Sequence, residues 1–297
     1  MQNINYYNEI KEELVNNEVY KRVKDYSKNR SDLKTYYNVG KLLNDAGKKY
    51  GEGIIGQYSK RLTSELGRGY SKRNLWLMLR FYVLNRKMQT VSAQLSWSHY
   101  CELISLNNIN KINYYVKIAE EENLSVRKLR ERIKNNEYER LDDKTKIKLS
   151  AREKTNAYDF IKNPILIRNK FDTNKLSERM LSETILDNLE DFLKELGMGY
   201  SFITMEYPIK LGDRYNYIDI LLFNYVNNNF AVVELKIGEI KKEHIGQVQT
   251  YMNYIDKNLR SINQNNTIGI IICKKGNNFI MQYVTNKNIY EREYELI

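Results

Sequence analysis

The sequence has only two cysteines, two histidines and two prolines among its 297 residues. Cys101 and Cys273 lie far apart and have no partners at metal-ligand spacing, so we expect reduced thiols rather than a disulfide or a zinc site. Two histidines are too few for a histidine-rich metal centre. No hydrophobic run approaches the roughly 18 residues of a membrane span, and the start of the chain does not resemble a signal peptide. These absences predict a cytoplasmic protein that does not enter a membrane.

The net charge of +11 is concentrated in the first half of the chain. Residues 1–150 contain 29 basic and 18 acidic side chains, an excess of 11, whereas residues 151–297 contain 19 of each. Ten of the basic residues fall between positions 48 and 87. Such a concentration predicts a surface that binds a polyanion such as nucleic acid. The alternative is an ordinary solvated helical surface.

Apolar residues in 1–150 recur every three or four positions, so we predict an all-helical first domain over this range. One helix is expected over 54–66, followed by a turn and by a second helix from its N-cap Ser71 to about Asn85. The outline is helix-turn-helix-like. The charged stretch 136–154 is expected to be a connector, or an exposed helix that leads out of the domain.

Two basic residues, Lys72 and Arg73, fall in the first turn of the second helix. Positive charge opposes the helix dipole there, whereas a bound phosphate would be favoured by the free backbone amides. This placement suggests that the helix start binds the phosphate backbone of a nucleic acid. Pairing of Arg73 with a carboxylate elsewhere in the fold is the alternative.

Residues 155–297 mix helical and strand-like patterns, which predicts a second, α/β domain. The expected order is helix, three strands, helix, strand, with a crossover helix that makes one strand pair parallel within a mixed sheet. The segments are helices over 176–196 and 241–257, strands over 201–211, 215–223, 230–237 and 267–273, and weaker strands near 279–284 and 290–295.

Asp219, Glu234 and Lys236 stand inside apolar runs that are typical of buried strands. The two strands flank an Asn-rich turn at 224–229, which indicates a hairpin. In a symmetric hairpin residue 223 faces residue 230, and by the same register Asp219 faces Glu234. Their Cβ atoms would then lie roughly 4.5 to 5.5 Å apart, and Lys236 shares the face of Glu234.

Two carboxylates at that distance repel each other unless a cation or a proton lies between them. A hard divalent ion with oxygen ligands suits the pair. The alternative is a buried salt bridge in which Lys236 neutralises one carboxylate, although this arrangement leaves the second carboxylate unpaired.

The second half resembles the PD-(D/E)xK nuclease superfamily, through Asp219 and the Glu234-Leu235-Lys236 sequence on the second and third predicted strands. Almost the whole chain is similar to the YhcG-like family of predicted nucleases, which have an N-terminal domain of unannotated function. The matching segments are 66–75, 80–82, 95–100, 192–197, 217–219, 234–238, 246–247 and 267–269.

The resemblance implies a role for each site residue. Asp219 and Glu234 would bind Mg²⁺ (or Mn²⁺), and the Leu235 carbonyl would be a further ligand. Lys236 would orient or help to deprotonate the attacking water and stabilise charge on the phosphate. Gln247 would contact the site or the DNA, with a helix-capping or packing amide as the alternative.

The family often completes its site with an acid from the first helix of the domain. Glu183 and Glu190 are seven residues apart and share a helix face, and Glu183 is the expected metal ligand. Glu206 on the first strand is a further candidate, although an exposed strand carboxylate is the more ordinary interpretation.

Together these observations predict a two-domain, metal-dependent nuclease that hydrolyses DNA phosphodiester bonds. The basic helical domain is expected to bind the DNA through Arg68, Lys72, Arg73 and Arg80. One alternative is a catalytically silent binding module on a nuclease-like scaffold, and another is a nuclease for branched DNA or RNA. A homodimer would suit cleavage of paired strands, but no heptad pattern indicates one.

Overall fold

A computed structural model of the chain describes residues 6–23, 28–51, 53–86, 94–151, 153–169 and 176–297. Side chains are described for these residues except 18–31 and Arg68. The chain divides into two compact units, Met1–Tyr138 and Glu139–Ile297. Both cysteines are free.

The described part of the first unit is helical, as predicted. Ser71 caps the helix that follows it, because its side chain accepts a hydrogen bond from the Asn74 backbone amide at 3.4 Å. A 3-10 turn, Arg68–Tyr70, separates this helix from the preceding one. The helices are α1 (Tyr6–Val23), α2 (Lys28–Tyr50), α3 (Ile54–Leu66), α4 (Lys72–Asn85), α5 (Trp97–Leu103), α6 (Ile109–Glu121) and α7 (Val126–Lys134).

The first four helices share one apolar core. Ile10 of α1, Leu43 of α2, Leu62 of α3 and Leu75 of α4 are all fully buried in it. Helices α2 and α4 approach most closely at Gly40, where a Cβ atom would lie 2.1 Å from the Met78 carbonyl oxygen. A residue without a side chain is therefore required at this contact.

The second unit begins at Glu139, earlier than the predicted boundary at residue 150. Arg140 forms a buried salt bridge with Glu195, and Arg292 donates to the carboxylate of Asp142 at 2.7 Å. These ion pairs attach the charged stretch after residue 138 to the second unit. That stretch is therefore part of the α/β fold rather than a free connector.

The second unit contains a mixed sheet flanked by helices. The predicted strands at 201–211, 215–223, 230–237, 267–273 and 290–295 are confirmed within one or two residues at most ends. The elements are α8 (Asp143–Ala151), β1 (Ile165–Ile167), α9 (Glu178–Asp187), α10 (Leu189–Leu196), β2 (Tyr200–Leu211), β3 (Arg214–Asn224), β4 (Asn229–Glu239), α11 (Lys242–Asn258), β5 (Ile268–Lys275), α12 (Asn278–Gln282) and β6 (Ile289–Leu296).

The sheet has the strand order β1-β6-β5-β4-β3-β2. Strands β2, β3 and β4 form an antiparallel meander. After the crossover helix α11, strand β5 pairs parallel with β4, and β6 and β1 continue the parallel part. The predicted class, a helical region followed by an α/β domain with a mixed sheet, is confirmed.

Each face of the sheet has its own core. Val233 and Leu235 of β4 pack on the side of α9 and α10, whereas Val232 packs on the side of α11. Helix α11 approaches β5 closely at Gly269, where a Cβ atom would lie 2.3 Å from a methyl carbon of Val248. Because side chains of β4 alternate between the two faces of the sheet, their order determines which of them can contribute to a site on each face.

Three details differ from the sequence prediction. The helix expected over 176–196 is two helices, α9 and α10, which meet at Asn188 with φ −123° and ψ 36°. The segment near 279–284, predicted as a strand, contains the short helix α12. Strand β1 was not predicted, and with three residues it is too short to show a periodic pattern.

Candidate active site

The register of the β3–β4 hairpin brings the two predicted acids to adjacent strands. Phe223 pairs with Phe230, and the ladder continues in the same register to Ile220 and Val233. The next step along this ladder is Asp219 and Glu234. The predicted register is therefore confirmed up to the residues immediately before the acids.

At Asp219 the regular alternation of β3 side chains between the two faces of the sheet is interrupted. Ile218 packs in the core on the α11 side, whereas Ile220, two residues later, packs on the α9 and α10 side. In a regular strand these two residues would point to the same face. The partner strand is irregular at the same level, because Glu206 has a φ of +49°. The sheet is therefore locally twisted at the acid.

A backbone amide fixes the carboxylate of Asp219. One carboxylate oxygen, Oδ2, accepts a hydrogen bond from the Leu235 amide of β4 at 2.7 Å. Burial raises the pKa of Asp219, while this amide and the charge of Lys236 oppose the increase. The acid is thus oriented by the neighbouring strand and lies in a partly desolvated environment.

Glu234 is almost completely buried, with 2% of its surface exposed. Its Oε1 accepts a hydrogen bond from the Lys236 ammonium at 2.9 Å, whereas its Oε2 has no hydrogen-bond partner among the described residues. Burial and the nearby charge of Asp219 raise the pKa of Glu234 to about 7. Leaving such an oxygen unpaired in a folded protein costs free energy and is typical of sites that bind a ligand or ion.

Lys236 lies between two carboxylates. Its ammonium is 2.9 Å from Glu234 and 3.5 Å from Oε2 of Glu178. Burial lowers the pKa of Lys236, but the two carboxylates outweigh this effect, so its pKa is higher than the ordinary value. In the metal-free protein the amine therefore keeps its proton at neutral pH.

The acid that the first helix of the domain brings to the site is Glu178, not Glu183 or Glu190. Glu183 forms an exposed ion pair with Arg179, and Glu190 pairs with Lys194 on α10. Glu178 is the first residue of α9, directly after its N-cap Ser177. The N-cap signal was readable in the sequence, but which end of the helix meets the sheet depends on tertiary packing.

Helix α11 faces the same site with its first turns. Gln247 donates a hydrogen bond to the Tyr251 hydroxyl at 2.8 Å. Burial raises the pKa of Tyr251, and the charges of Glu234 and Asp219 add to the increase. Burial together with the charge of Lys236 lowers the pKa of His244. Sequence reasoning did not assign His244 to the site.

The possible metal ligands at the candidate site meet part of the requirements of a hard cation. Among the residues that the structure describes, no three acidic, histidine or cysteine side chains converge closely enough to hold a metal ion by themselves. Two carboxylates nevertheless suit Mg²⁺, which is usually bound through one or two carboxylates and retains several waters. The unpaired Oε2 of Glu234 is a donor of the required chemical type.

The predicted nucleic-acid-binding residues lie on or next to α4. Lys72 and Arg73 are exposed, and the charge of Arg73 acts on nearby Glu102. Arg80 is half-buried and donates to Asn107 at 2.6 Å. The side chain of Arg68 lies outside the described residues. Of the three side chains that the structure describes, Lys72 and Arg73 are therefore the most accessible.

No helix among the described residues is long and apolar enough to cross a membrane.

Comparison with known proteins identifies both units. Residues 9–140 match the family described as the DUF1016 N-terminal domain, and residues 159–296 match the YhcG PDDEXK nuclease domain. A curated relative, "Putative nuclease YhcG" of Escherichia coli (strain K12), is 25% identical over 283 residues, which cover 80% of this chain and 76% of the relative.

Two solved structures also show similarity to part of the chain. One is described as a repair endonuclease from Pyrococcus abyssi, with 17% identity and a TM-score of 0.29, and the other as an EndoMS-dsDNA2 complex, with 16% identity and a TM-score of 0.32. Each match covers 43% of this chain and about half of the solved chain. The two family matches and the curated relative together show that the chain resembles the YhcG-like family, with a region similar to the DUF1016 N-terminal domain followed by one similar to the YhcG PDDEXK nuclease domain.

Proposed function

We propose that the chain is a Mg²⁺-dependent nuclease that hydrolyses DNA phosphodiester bonds at Asp219 and Glu234. One observation supports this above the others: the buried Oε2 of Glu234 has no hydrogen-bond partner among the described residues, next to a second acid and a lysine. A purely structural ion pair would satisfy both oxygens, because an unpaired buried carboxylate oxygen is costly.

Asp219, Glu234 and the Leu235 carbonyl would hold the metal ion, and Glu178 would take the role that the resemblance implies for Glu183. When bound, Mg²⁺ supplies a nucleophile from water and neutralises charge on the phosphoryl oxygens. The Leu235 amide keeps Asp219 in one orientation, so the acid does not have to be ordered when the ion binds.

Lys236 would bind a non-bridging oxygen of the scissile phosphate. Its pKa is raised, so the group acts as a charged hydrogen-bond donor that positions phosphate and water, rather than as the base that removes a proton. Gln247 would donate to the substrate or to the attacking water from the first turns of α11, where Tyr251 holds its amide.

The helical unit would supply most of the affinity for DNA. Residues 1–138 contain 25 basic and 15 acidic side chains, an excess of 10 out of the net charge of +11, and the exposed Lys72 and Arg73 lie at the start of α4. Contacts of this kind with phosphate release counterions, so binding is expected to weaken steeply as salt rises. The α/β unit could then act on DNA that the other unit retains.

Cleavage and binding by variants of the full chain test the proposal. Asp219→Ala and Glu234→Ala are expected to abolish Mg²⁺-dependent cleavage of plasmid and linear DNA, whereas both variants should still retard DNA in a native gel. Glu190→Gln is the matched control, because this exposed acid pairs with Lys194 away from the site. Cleavage by either alanine variant at the wild-type rate would refute the assignment.

A catalytically silent scaffold is the second candidate function. One observation favours it: no three ligating side chains converge among the described residues. Calorimetric titration with Mg²⁺ or Mn²⁺ separates the two possibilities. Binding that disappears in Asp219→Ala supports the nuclease, and the absence of any binding to the wild-type protein, with or without DNA, supports the scaffold.

A further inference from the structure

Strands β2 and β3 separate from β4 at the level of Asp219 and continue as a two-stranded arm. The β2–β3 ladder continues to Leu211 and Arg214, whereas the β3–β4 ladder stops at Ile220 and Val233. The arm therefore starts at the level of Asp219 and projects away from β4. Its root is at the candidate active site.

One face of the arm is packed and holds it in place. Ile209 and Ile218 are fully buried, and they belong to the core that includes Ile240 and the apolar residues of α11. Side chains alternate along each strand, so the neighbouring residues point away from this core. The arm is thus anchored through one side only.

The other face of the arm carries two exposed aromatic rings. We name it the tyrosine face; its residues are Pro208, Lys210, Tyr215 and Tyr217. Tyr217 pairs with Pro208 across the strands and Tyr215 with Lys210. Tyr215 is 64% and Tyr217 55% exposed, and the Lys210 ammonium lies 5.9 Å from the centre of the Tyr215 ring. The fold gives these rings no packing role that would explain their exposure.

The tyrosine face leads directly to the acid. Tyr217 and Tyr215 are two and four residues before Asp219, which corresponds to about 7 and 14 Å along an extended strand. A ligand that lies along the arm over such a distance therefore comes to the level of Asp219. Lys210 and Arg214 bring positive charge to the arm, and Asp213 in the turn offsets one of them.

We propose that the tyrosine face stacks against unpaired nucleobases beside the scissile phosphate, so that the preferred substrate is DNA with a single-stranded segment. This inference rests on the proposed nuclease function and specifies its substrate class. Every base has a flat face that an aromatic side chain can stack against, but in an intact duplex those faces are covered by neighbouring bases.

The charge and the position of the tyrosine face are suited to a single strand of nucleic acid. A strand of nucleic acid offers aromatic faces to Tyr215 and Tyr217 and a phosphate to Lys210, so both chemical features of the face are used. Tyr217 is also only two residues before Asp219, which is proposed to bind the metal ion. Because its opposite side is packed, little ordering is required when a strand binds.

The experiment compares the affinity of the full chain for a fluorescein-labelled single strand and for the matched duplex, in EDTA so that no cleavage occurs. The ratio of the two affinities is informative because phosphate contacts made elsewhere contribute to both. Tyr217→Ala and Tyr215→Ala are expected to bind the single strand about five- to 100-fold more weakly, with a smaller loss for the duplex. Tyr217→Phe should restore the wild-type ratio.

Tyr225 provides a matched control. It is 64% exposed, like Tyr215, and follows the opposite end of β3. Tyr225→Ala is therefore expected to leave the ratio unchanged. Thermal melting of each variant confirms that the fold is intact.

The outcomes separate this inference from the proposed function. A wild-type ratio in both Tyr217→Ala and Tyr215→Ala overturns the tyrosine face as a binding surface, even if the protein cleaves DNA with Mg²⁺. A reduced ratio supports it even if the wild-type protein cleaves nothing, in which case the nuclease proposal alone fails. An equal loss in Tyr225→Ala would also overturn it, because exposure of any tyrosine would then be sufficient.

Discussion

Replacing Glu234 with glutamine is expected to stabilise the metal-free protein at alkaline pH. The wild-type carboxylate is buried beside Asp219, and one of its oxygens is unpaired among the described residues. Glutamine has nearly the same shape and carries no charge. The substitution therefore removes the repulsion and desolvation that the folded protein imposes on the ionised acid.

The size of the effect follows from the pKa. Folding raises the pKa of Glu234 from 4.5 to about 7. At about 1.36 kcal/mol for each pKa unit, this increase corresponds to a ceiling of about 3 kcal/mol. In the variant Lys236 donates to a neutral amide oxygen instead of a charged carboxylate, so we expect a smaller net gain of about 1 to 2 kcal/mol, or a few degrees in Tm.

The direction of the pKa shift of Glu234 determines how the folding stability depends on pH. A carboxyl group with a raised pKa in the folded state contributes its stability below the unfolded value of 4.5, and this contribution is lost as the pH rises through about 7. The variant lacks this titration. Its advantage over the wild-type protein should therefore be small at pH 5 and fully developed at pH 8.5.

Thermal unfolding in EDTA at these two pH values measures the difference. Glu190→Gln is the control, because its 77% exposed carboxylate pairs with Lys194 in solvent and should show little change at either pH. Millimolar Mg²⁺ should stabilise the wild-type protein and reduce or reverse the advantage of Glu234→Gln. A variant less stable than the wild type at pH 8.5 would refute the reasoning, since the buried acid would then be satisfied.

Three further predictions concern the metal, the DNA and the packing of the sheet. Mg²⁺ or Mn²⁺ should raise the Tm of the wild-type protein with increasing concentration and leave Asp219→Ala unchanged, as differential scanning fluorimetry would show. A Lys72→Ala/Arg73→Ala double variant should bind duplex DNA more weakly for every sequence and lower the salt slope by about two, measured by fluorescence polarisation between low and high salt. Gly269→Ala should destabilise the protein by more than about 1 kcal/mol in chemical denaturation, because its methyl group would overlap two α11 side chains, whereas Gly246→Ala on α11 has open space and should not destabilise it.

The hairpin at the site could be predicted because its signals are local. Asparagines at 224 and 227–229 mark the turn, and symmetry about this turn sets one register. Both faces of the two strands are buried, so the length of the turn, rather than burial of one face, determines the register. The opposition of Asp219 and Glu234 follows from these local facts.

Glu178 could not be selected from sequence in the same way. Its position next to Lys236 depends on how α9 lies against β4, and a helical wheel contains no information about that packing. The prediction of one continuous helix over 176–196 also contributed to the choice of Glu183 as the metal ligand. A single helix ending at Gly197 makes Glu183 and Glu190 neighbours on one face, whereas the break at Asn188 places them on different helices.

The division between units was misplaced for a related reason. Residues 139–154 are strongly charged, and charge is typical of exposed connectors. Arg140 nevertheless lies in a buried ion pair with Glu195, more than fifty residues later. Partners this distant in sequence leave no local pattern, so composition alone assigned the segment to the wrong side of the boundary.

The ladder between β2 and β3 runs on after the pairing between β3 and β4 has ended, so the tip of this hairpin, residues 211–214, lies outside the pairing that brings the two acids together. Insertions or replacements at the tip are therefore expected to leave Asp219, Glu234 and Lys236 in place. Related sequences are expected to diverge at this tip in length and aromatic content while these three residues stay the same. Under the proposed functions, substrate choice would then evolve separately from bond cleavage.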